Sequence, residues 1–506
     1  MNDTKQQTAT IIGGGLGGLF TGAFLAREGY AVTVLEQNLN IGGGLQTFRR
    51  CGEEFDAGMH ILGGFQPGGT LDRICRYLGI SDRLEITHDE ESGIIDTITY
   101  LSDGQVVNVP RGREHFTEYF QSLFPENSDE IKNYVDAIYR MADEVNIFNL
   151  RPDEDYFKEF SPQFFMPANR FIASYITSAH LQAIMAFVNP MYGGIPDVTP
   201  AYIHSILSVL YIDGQSKFRG GSRQLASALQ SVIEENGGAV LPGRKVTEIE
   251  VDAQARMVKG VRCETGETFT SDVYISSIHP VRMLDIATKG TFKKAFSERL
   301  RSIPNAYSAF QAFFIMRPDT FPYLPGANFL IDDYTDTWKL ANGDDDKWPR
   351  GMMYVTPAGK TDSTFSRKVV VNCVMSFSAV EKWTGSSLGN RPDDYERWKK
   401  ECLERIITKM EKLYPDFSKN IEHSFTASPL TIRDYFDVPA GSLYGYVKDS
   451  SDILRSQITV FTKIKNLLLT GQCINLHGIC GVPLTAILTV EALVGRNVLI
   501  NKISTC

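Results

Sequence analysis

The chain has few cysteines, no excess of positive charge and no long apolar run. Its eight cysteines (Cys51, Cys75, Cys263, Cys373, Cys402, Cys473, Cys480 and Cys506) are scattered through 506 residues with no C-x-x-C pair. That dilution excludes a disulfide framework and reads as free thiols in a reducing compartment. Lys and Arg number 51 against 60 Asp and Glu, a net charge of −9, whereas a nucleic-acid binder would show a basic footprint. No window reaches the ~18 apolar residues of a spanning helix. The opening Met1 to Gln7 lacks the apolar stretch of a signal peptide. A cytoplasmic chain, with at most one face on a membrane, is the expectation. The eight histidines show neither His-x-x-x-His nor His-Glu-x-x-His spacing, so no metal site is expected. Hydrophobic residues at 43% and charged residues at 22% match a folded soluble protein, and the length implies two or more domains.

What the sequence does contain is concentrated near its start. Thr8 to Ile12 is short, β-branched and apolar, as suits a buried parallel strand. It runs into Gly13-Gly14-Gly15-Leu16-Gly17-Gly18, then a helical stretch ending near Gly29, then a second strand, Ala31 to Leu35, closing on Glu36. Strand, Gly-x-Gly-x-x-Gly, helix, strand and acid stand in the order of a dinucleotide-binding unit. Gly13 permits the tight turn, Gly15 lets the backbone approach a pyrophosphate, and Gly18 lets helix and strand pack closely. The phosphates would rest on N–H groups at the helix start, at Leu16 and Gly17. Glu36 could accept hydrogen bonds from a ribose diol. A glycine-rich turn serving packing alone is the alternative.

After Glu36 the chain reads Gln37-Asn38-Leu39-Asn40-Ile41-Gly42-Gly43-Gly44-Leu45-Gln46-Thr47. This resembles the second motif of FAD enzymes of the glutathione-reductase-like fold, an acid, a short loop and Gly-Gly-x-x-x-Thr/Ser. The resemblance implies FAD, with Gln37, Gly43, Gly44 and Leu45 beside it. In that fold the strand beginning near Val246 meets the adenine through its backbone. Near the C-terminus, Asn466 to Leu469 reads as a buried strand entering a turn at Gly471 and Gln472. A helix predicted from Leu484 to about Val494 would point its positive end at the flavin, bringing Gly481, Val482 and Pro483 close.

With these pieces assembled, the chain resembles the phytoene desaturase, carotenoid isomerase and retinol saturase superfamily over nearly its whole length. Phe55-Asp56-Ala57-Gly58-Met59-His60, Phe218-Arg219-Gly220-Gly221-Ser222, Thr426 to Thr431, Gly441 to Gly445 and Gly471 to Pro483 carry the resemblance. Gln472 stands where many relatives have Asp, and Cys480 where a small residue is usual. The family implies an FAD enzyme exchanging hydride with C–C bonds of an apolar polyene or lipid-like substrate, as saturase, desaturase or isomerase. There is no second dinucleotide fingerprint, so NAD(P)H, if used as the external electron donor, would bind transiently or act through another protein. Saturating an alkene also needs a proton; His60, Tyr444 and His477 are the candidates, and each also reads as structural. A flavin amine oxidase and a flavin-free isoprenoid carrier of the GDP-dissociation-inhibitor kind are the competing readings.

The implied architecture is α/β, a glutathione-reductase-like FAD-binding Rossmann domain in three ββα layers with an inserted α+β substrate domain. Residues 1–94, 215–285 and 460–506 would form the first, and 95–214 and 286–459 the second. A hairpin is expected around Asp103-Gly104, helices from His115 to Val145, strands at Ala309 to Ile315 and Val369 to Val374, and a long helix from Pro392 to Leu413. Tyr156, Phe157, Phe160, Phe164, Phe165 and Phe171 place six aromatics within sixteen residues. They read equally as a peripheral membrane contact, with 156–171 facing the lipid, or as a core helix. Gly385-Ser386-Ser387-Leu388-Gly389 matches a hydrolase elbow, but no buried strand precedes it, so a surface loop is expected.

Overall fold

The computed structural model describes residues 6–58, 61–87, 93–153, 159–341, 346–360 and 363–506. The opening motif folds as expected, strand Thr8–Ile12, helix Leu16–Arg27 and strand Ala31–Leu35. These strands sit in a five-stranded parallel sheet, ordered Ala239–Leu241, Ala31–Leu35, Thr8–Ile12, Val273–Ser276 and Leu467–Leu469. Side-chain alternation gives this sheet two apolar faces. Ala9, Ile11, Val32, Val34, Ile275 and Leu468 join the cluster that contains Leu19, Phe20, Phe24, Leu229 and Ile487 of the helices. Ile12, Leu35, Tyr274, Leu467 and Leu469 join Val246, Ile249 and Val261 of a three-stranded antiparallel sheet. The result is three layers, helices, parallel sheet and antiparallel sheet. Phe20 and Phe24 are fully buried, each contributing roughly 1.5–3 kcal/mol of apolar burial.

A second sheet of seven strands forms the other half. Its order is Ile421–Ala427, Ser308–Met316, Lys368–Met375, Gly351–Val355, Ala327–Ile331, Ile94–Tyr100 and Val106–Pro110. The expected hairpin around Asp103-Gly104 supplies its last two strands. Phe310, Ala312, Phe314, Val369, Val371 and Cys373 turn toward Cys402, Ile406 and Met410 of helix Asp393–Glu411. The alternate residues, Gln311, Phe313, Val370, Asn372 and Val374, therefore face the opposite way, toward the first half. All eight cysteines are free, and no helix among the described residues is long and apolar enough to cross a membrane.

One expectation needs correction. The C-terminal helix begins at Gly478, not Leu484, and carries Pro483 inside it. Proline lacks an N–H, so the Ile479 carbonyl loses its intrahelical partner while the helix continues, packed against helix Leu16–Arg27. In the aromatic segment, Phe164 and Phe171 are buried, and Phe164 stacks on Tyr202 with centroids 4.7 Å apart. Among its described aromatics only Phe160 is exposed, at 40%; Tyr156 and Phe157 lie outside the described residues. The Gly385 to Gly389 match is a loop, with Leu388 exposed.

Gly18 ties helix to strand by close contact. A Cβ built there would lie 1.9 Å from the Gly13 carbonyl oxygen. Gly18→Ala should therefore destabilise the flavin-free chain by about 1–3 kcal/mol. Thermal unfolding should show it as a Tm several degrees lower; an unchanged Tm would contradict the close packing.

Candidate active site

A cleft of about 660 Å³ runs between the two halves. Its first end is built by the opening unit. Gly13 takes φ +100°, a conformation that favours glycine, and its carbonyl accepts from the Ser277 hydroxyl at 2.8 Å. The Gly42 N–H donates to the Gly14 carbonyl at 2.7 Å, drawing the second glycine loop onto the first. Glu36 is buried, and its two carboxylate oxygens accept from the Gly14 and Asn38 backbone N–H groups at 2.8 Å each. Burial pushes its carboxyl above the usual range while those N–H bonds act in the opposite direction.

Of the residues expected beside a cofactor, Gly13, Gly15, Leu16, Gly17, Glu36, Gln37, Gly43, Gly44, Leu45, Val246, Gly471, Gln472 and Val482 all line this one cleft. Gly18, Gly481 and Pro483 do not. Gly18 is consumed by its contact with Gly13, a Cβ on Gly481 would meet Leu476 Cβ at 2.7 Å, and Pro483 is buried within its helix. His60 lies outside the described residues. Three features fit a dinucleotide cofactor. Helix Leu16–Arg27 has no side-chain cap and no acid in its first turn, leaving its N–H groups and dipole to an anion. A Cβ on Gly15 would meet nothing nearer than Gly43 Cα at 4.0 Å, and one on Gly44 nothing within 4 Å, so the missing side chains form a groove opening on the cleft. A Cβ on Gly17 would come within 2.8 Å of Gly471 Cα, so the helix start and the C-terminal turn meet backbone to backbone.

The other end of the cleft is bounded by Ile61, Met191, Tyr211, Gln311, Met353, Asn372 and Tyr444. Sequence reasoning missed all of these except Tyr444. Antiparallel register assembles the polar ones: Gln311 pairs with Asn372, and Asn372 with Met353 on the next strand. A polar residue interrupting each apolar strand was the available signal. Asn372 Oδ1 is buried without a partner. Among the described residues no carboxylate lines this end; Asp285 and Asp437 line the cleft elsewhere, both paired with Arg282.

Two of the three proposed proton donors are placed. The Tyr444 hydroxyl lies on the cleft but donates to the Pro190 carbonyl at 2.7 Å. His477 packs against Tyr444 with ring centroids 5.0 Å apart. Burial, with a smaller effect of Lys448, depresses His477 to about 3, so its imidazole is neutral at neutral pH and stores no proton.

Fold and cleft define a dinucleotide-dependent oxidoreductase. The sequence profile described as "Flavin containing amine oxidoreductase" matches residues 16–493, and the chain belongs to that family. It is an FAD-dependent oxidoreductase. All-trans-retinol 13,14-reductase of Rattus norvegicus is 27% identical over 97% of this chain and 86% of its own length. 4,4'-Diaponeurosporene oxygenase of Staphylococcus aureus is 23% identical over 94% of this chain and 95% of its own. A solved oxidoreductase from Methanosarcina mazei shares the fold, with a TM-score of 0.65 at 15% identity over 96% of this chain and 100% of its own.

Three buried histidines give a pH expectation. Burial lowers His204 and His477 to about 3 and His279 to about 4. A depressed pKa contributes stability above the unfolded value near 6.5, and that stability is lost as pH falls toward the folded values. Denaturant unfolding followed from pH 7 to pH 5 should show falling stability, with a slope shallower by about one proton in His477→Gln. An unchanged slope would place His477 in water.

Proposed function

We propose that the enzyme exchanges hydride with a C–C bond of an apolar isoprenoid polyene, on the saturase side of its family. The observation that carries this reading is the cleft's far end: apolar side chains, tyrosines and two neutral amides, with no carboxylate among the described residues to hold a cation. Burying an unpaired ammonium there would cost several kcal/mol, which argues against an amine substrate. The two named relatives act, by their names, on a retinoid and on a carotenoid-type polyene.

The residue roles follow the geometry. Glu36 keeps lone pairs free beyond its two backbone bonds and binds the ribose diol. Gly15, Leu16 and Gly17 present helix N–H groups to the pyrophosphate, and Val246 meets the adenine through its backbone. Gly43, Gly44 and Leu45 on one side, and Gly471, Gln472 and Val482 on the other, hold the flavin end. FAD supplies the hydride acceptor or donor. Ile61, Met191 and Met353 exclude water and orient the chain against it. Among the described residues Tyr211 is held by one long bond, 3.4 Å to the Ile61 carbonyl, so its hydroxyl can turn to a substrate. The electrons come from outside, from NAD(P)H or a protein donor, and the substrate is drawn from a membrane surface, with exposed Phe160 as a contact residue. The chain folds as a Rossmann-type unit of 1–94, 215–285 and 460–506 serving a substrate unit of 95–214 and 286–459.

Anaerobic incubation of the reduced holoenzyme with apolar polyenes, followed by product mass, tests the reading. A gain of two hydrogens is expected. Turnover of amines alone would contradict it. Glu36→Ala should weaken FAD binding by about tenfold to a hundredfold, as loss of charged hydrogen bonds does. Flavin absorbance after dialysis measures this.

A further inference from the structure

Strand alternation leaves two amides side by side at the far end of the cleft. Gln311 and Asn372 are directly paired across neighbouring antiparallel strands, and both line the cleft. Side chains so paired stand about 5 Å apart, near enough for their tips to meet on one ligand atom. Neither amide is spent within the protein. Gln311 is only 6% exposed, yet its side chain bonds to no described residue. Asn372 is half-buried, with Oδ1 buried and without a partner, and its Nδ2 is also unbonded among the described residues. That leaves the NH2 group as the end of Asn372 open to the cleft. The strands here are otherwise apolar, with Phe310 and Ala312 beside Gln311, and Val371 and Cys373 beside Asn372. Two such amides are expected to be completed by something. Beyond Asn372 the space narrows to a recess of about 20 Å³, room for about one water-sized group, so a ligand ends at the amides.

We infer that the amide pair is a carbonyl-binding site, in which Gln311 Nε2 and Asn372 Nδ2 donate to the oxygen of a carbonyl conjugated with the C=C bond to be reduced. The inference rests on the saturase reading above and adds to it the group that activates the alkene. A carbonyl oxygen only accepts and has two lone pairs, so it takes both donors. A carboxylate would be buried without a countercharge, since among the described residues no cation lines this end. Hydride leaves reduced FAD for the carbon β to the carbonyl. The C=C electrons shift toward the α-carbon and the oxygen, and the enolate oxygen takes the two N–H bonds. A proton from water closes the α-carbon, so the product has gained two hydrogens and FAD is left oxidised. Negative charge grows on the oxygen as the hydride arrives, so donors held there act on the rate more than on binding. An alcohol or a hydrocarbon has no conjugated oxygen to carry that charge.

The test uses holoenzyme and three probes of one skeleton, retinal, retinol and the corresponding hydrocarbon. With oxidised enzyme, the infrared carbonyl stretch of retinal, isotope-labelled at its aldehyde carbon, should fall below its frequency in alkane solvent. Gln311→Met and Asn372→Leu keep the bulk and remove the donors, and each should return the band toward the alkane value. With anaerobically reduced enzyme, flavin reoxidation by retinal should be about tenfold or more faster than by the other two probes. Either substitution should slow it by about a hundredfold, as loss of one oxyanion donor does. Should one variant fail to take up flavin, the other variant and the wild-type band decide. An unshifted band in the wild type, a shift that survives both substitutions, or equal rates on the three probes overturns the carbonyl site. If retinol or the hydrocarbon still gains two hydrogens in those cases, the saturase reading stands. No turnover of any probe overturns both.

Discussion

The site depends on main chain meeting main chain at places where no side chain fits. The start of helix Leu16–Arg27, the loop at Gly42 to Leu45 and the turn at Gly471 converge on one point. Gly17 faces Gly471 at a distance that a Cβ would close to 2.8 Å, and Gly43 faces Gly15 at one it would close to 3.2 Å. Three segments far apart in sequence are thereby held so close that glycine backbone forms much of the near end of the cleft. A helix start with no side-chain cap of its own, placed there, is suited to hold an anion.

The second half supplies what the first cannot. Its seven-stranded sheet turns one face to helix Asp393–Glu411 and the other to the cleft, and strict alternation sorts the side chains. On the cleft face sit Gln311, Asn372 and Met353, surrounded by Phe313, Val370 and Val374. Polar groups are few there, and Asn372 Oδ1 is buried without a partner. Such unmet atoms are costly in a core and reasonable where a ligand completes them.

Much of the first half was legible in the sequence, because local chemistry dictates it. Glycine spacing, strand composition and the acid at Glu36 each have a short-range cause, and all fall where expected. The hairpin around Asp103-Gly104 and the strands near Ala309 and Val369 were legible for the same reason. What the sequence hid was register and side. Gln311 and Asn372 are 61 residues apart in number, and only the strand pairing places them together. Pro483 suggested a helix beginning after it, yet the packing of Gly478 to Val494 against helix Leu16–Arg27 outweighs one lost hydrogen bond. The aromatics between 156 and 171 were equally ambiguous in composition, and tertiary contacts turned Phe164 and Phe171 inward.

The most direct measurement is FAD binding by Gly15→Val, set beside the thermal stability of the same variant without flavin. Gly15 has φ −76°, which any residue adopts, and its Cβ would enter open cleft. The account predicts a flavin-free Tm within about 2 °C of wild type, as for substitutions without steric conflict. It predicts FAD affinity lower by about a hundredfold or more. Normal flavin binding in a stable Gly15→Val chain would contradict the account, because the cofactor would then lie somewhere other than against that backbone.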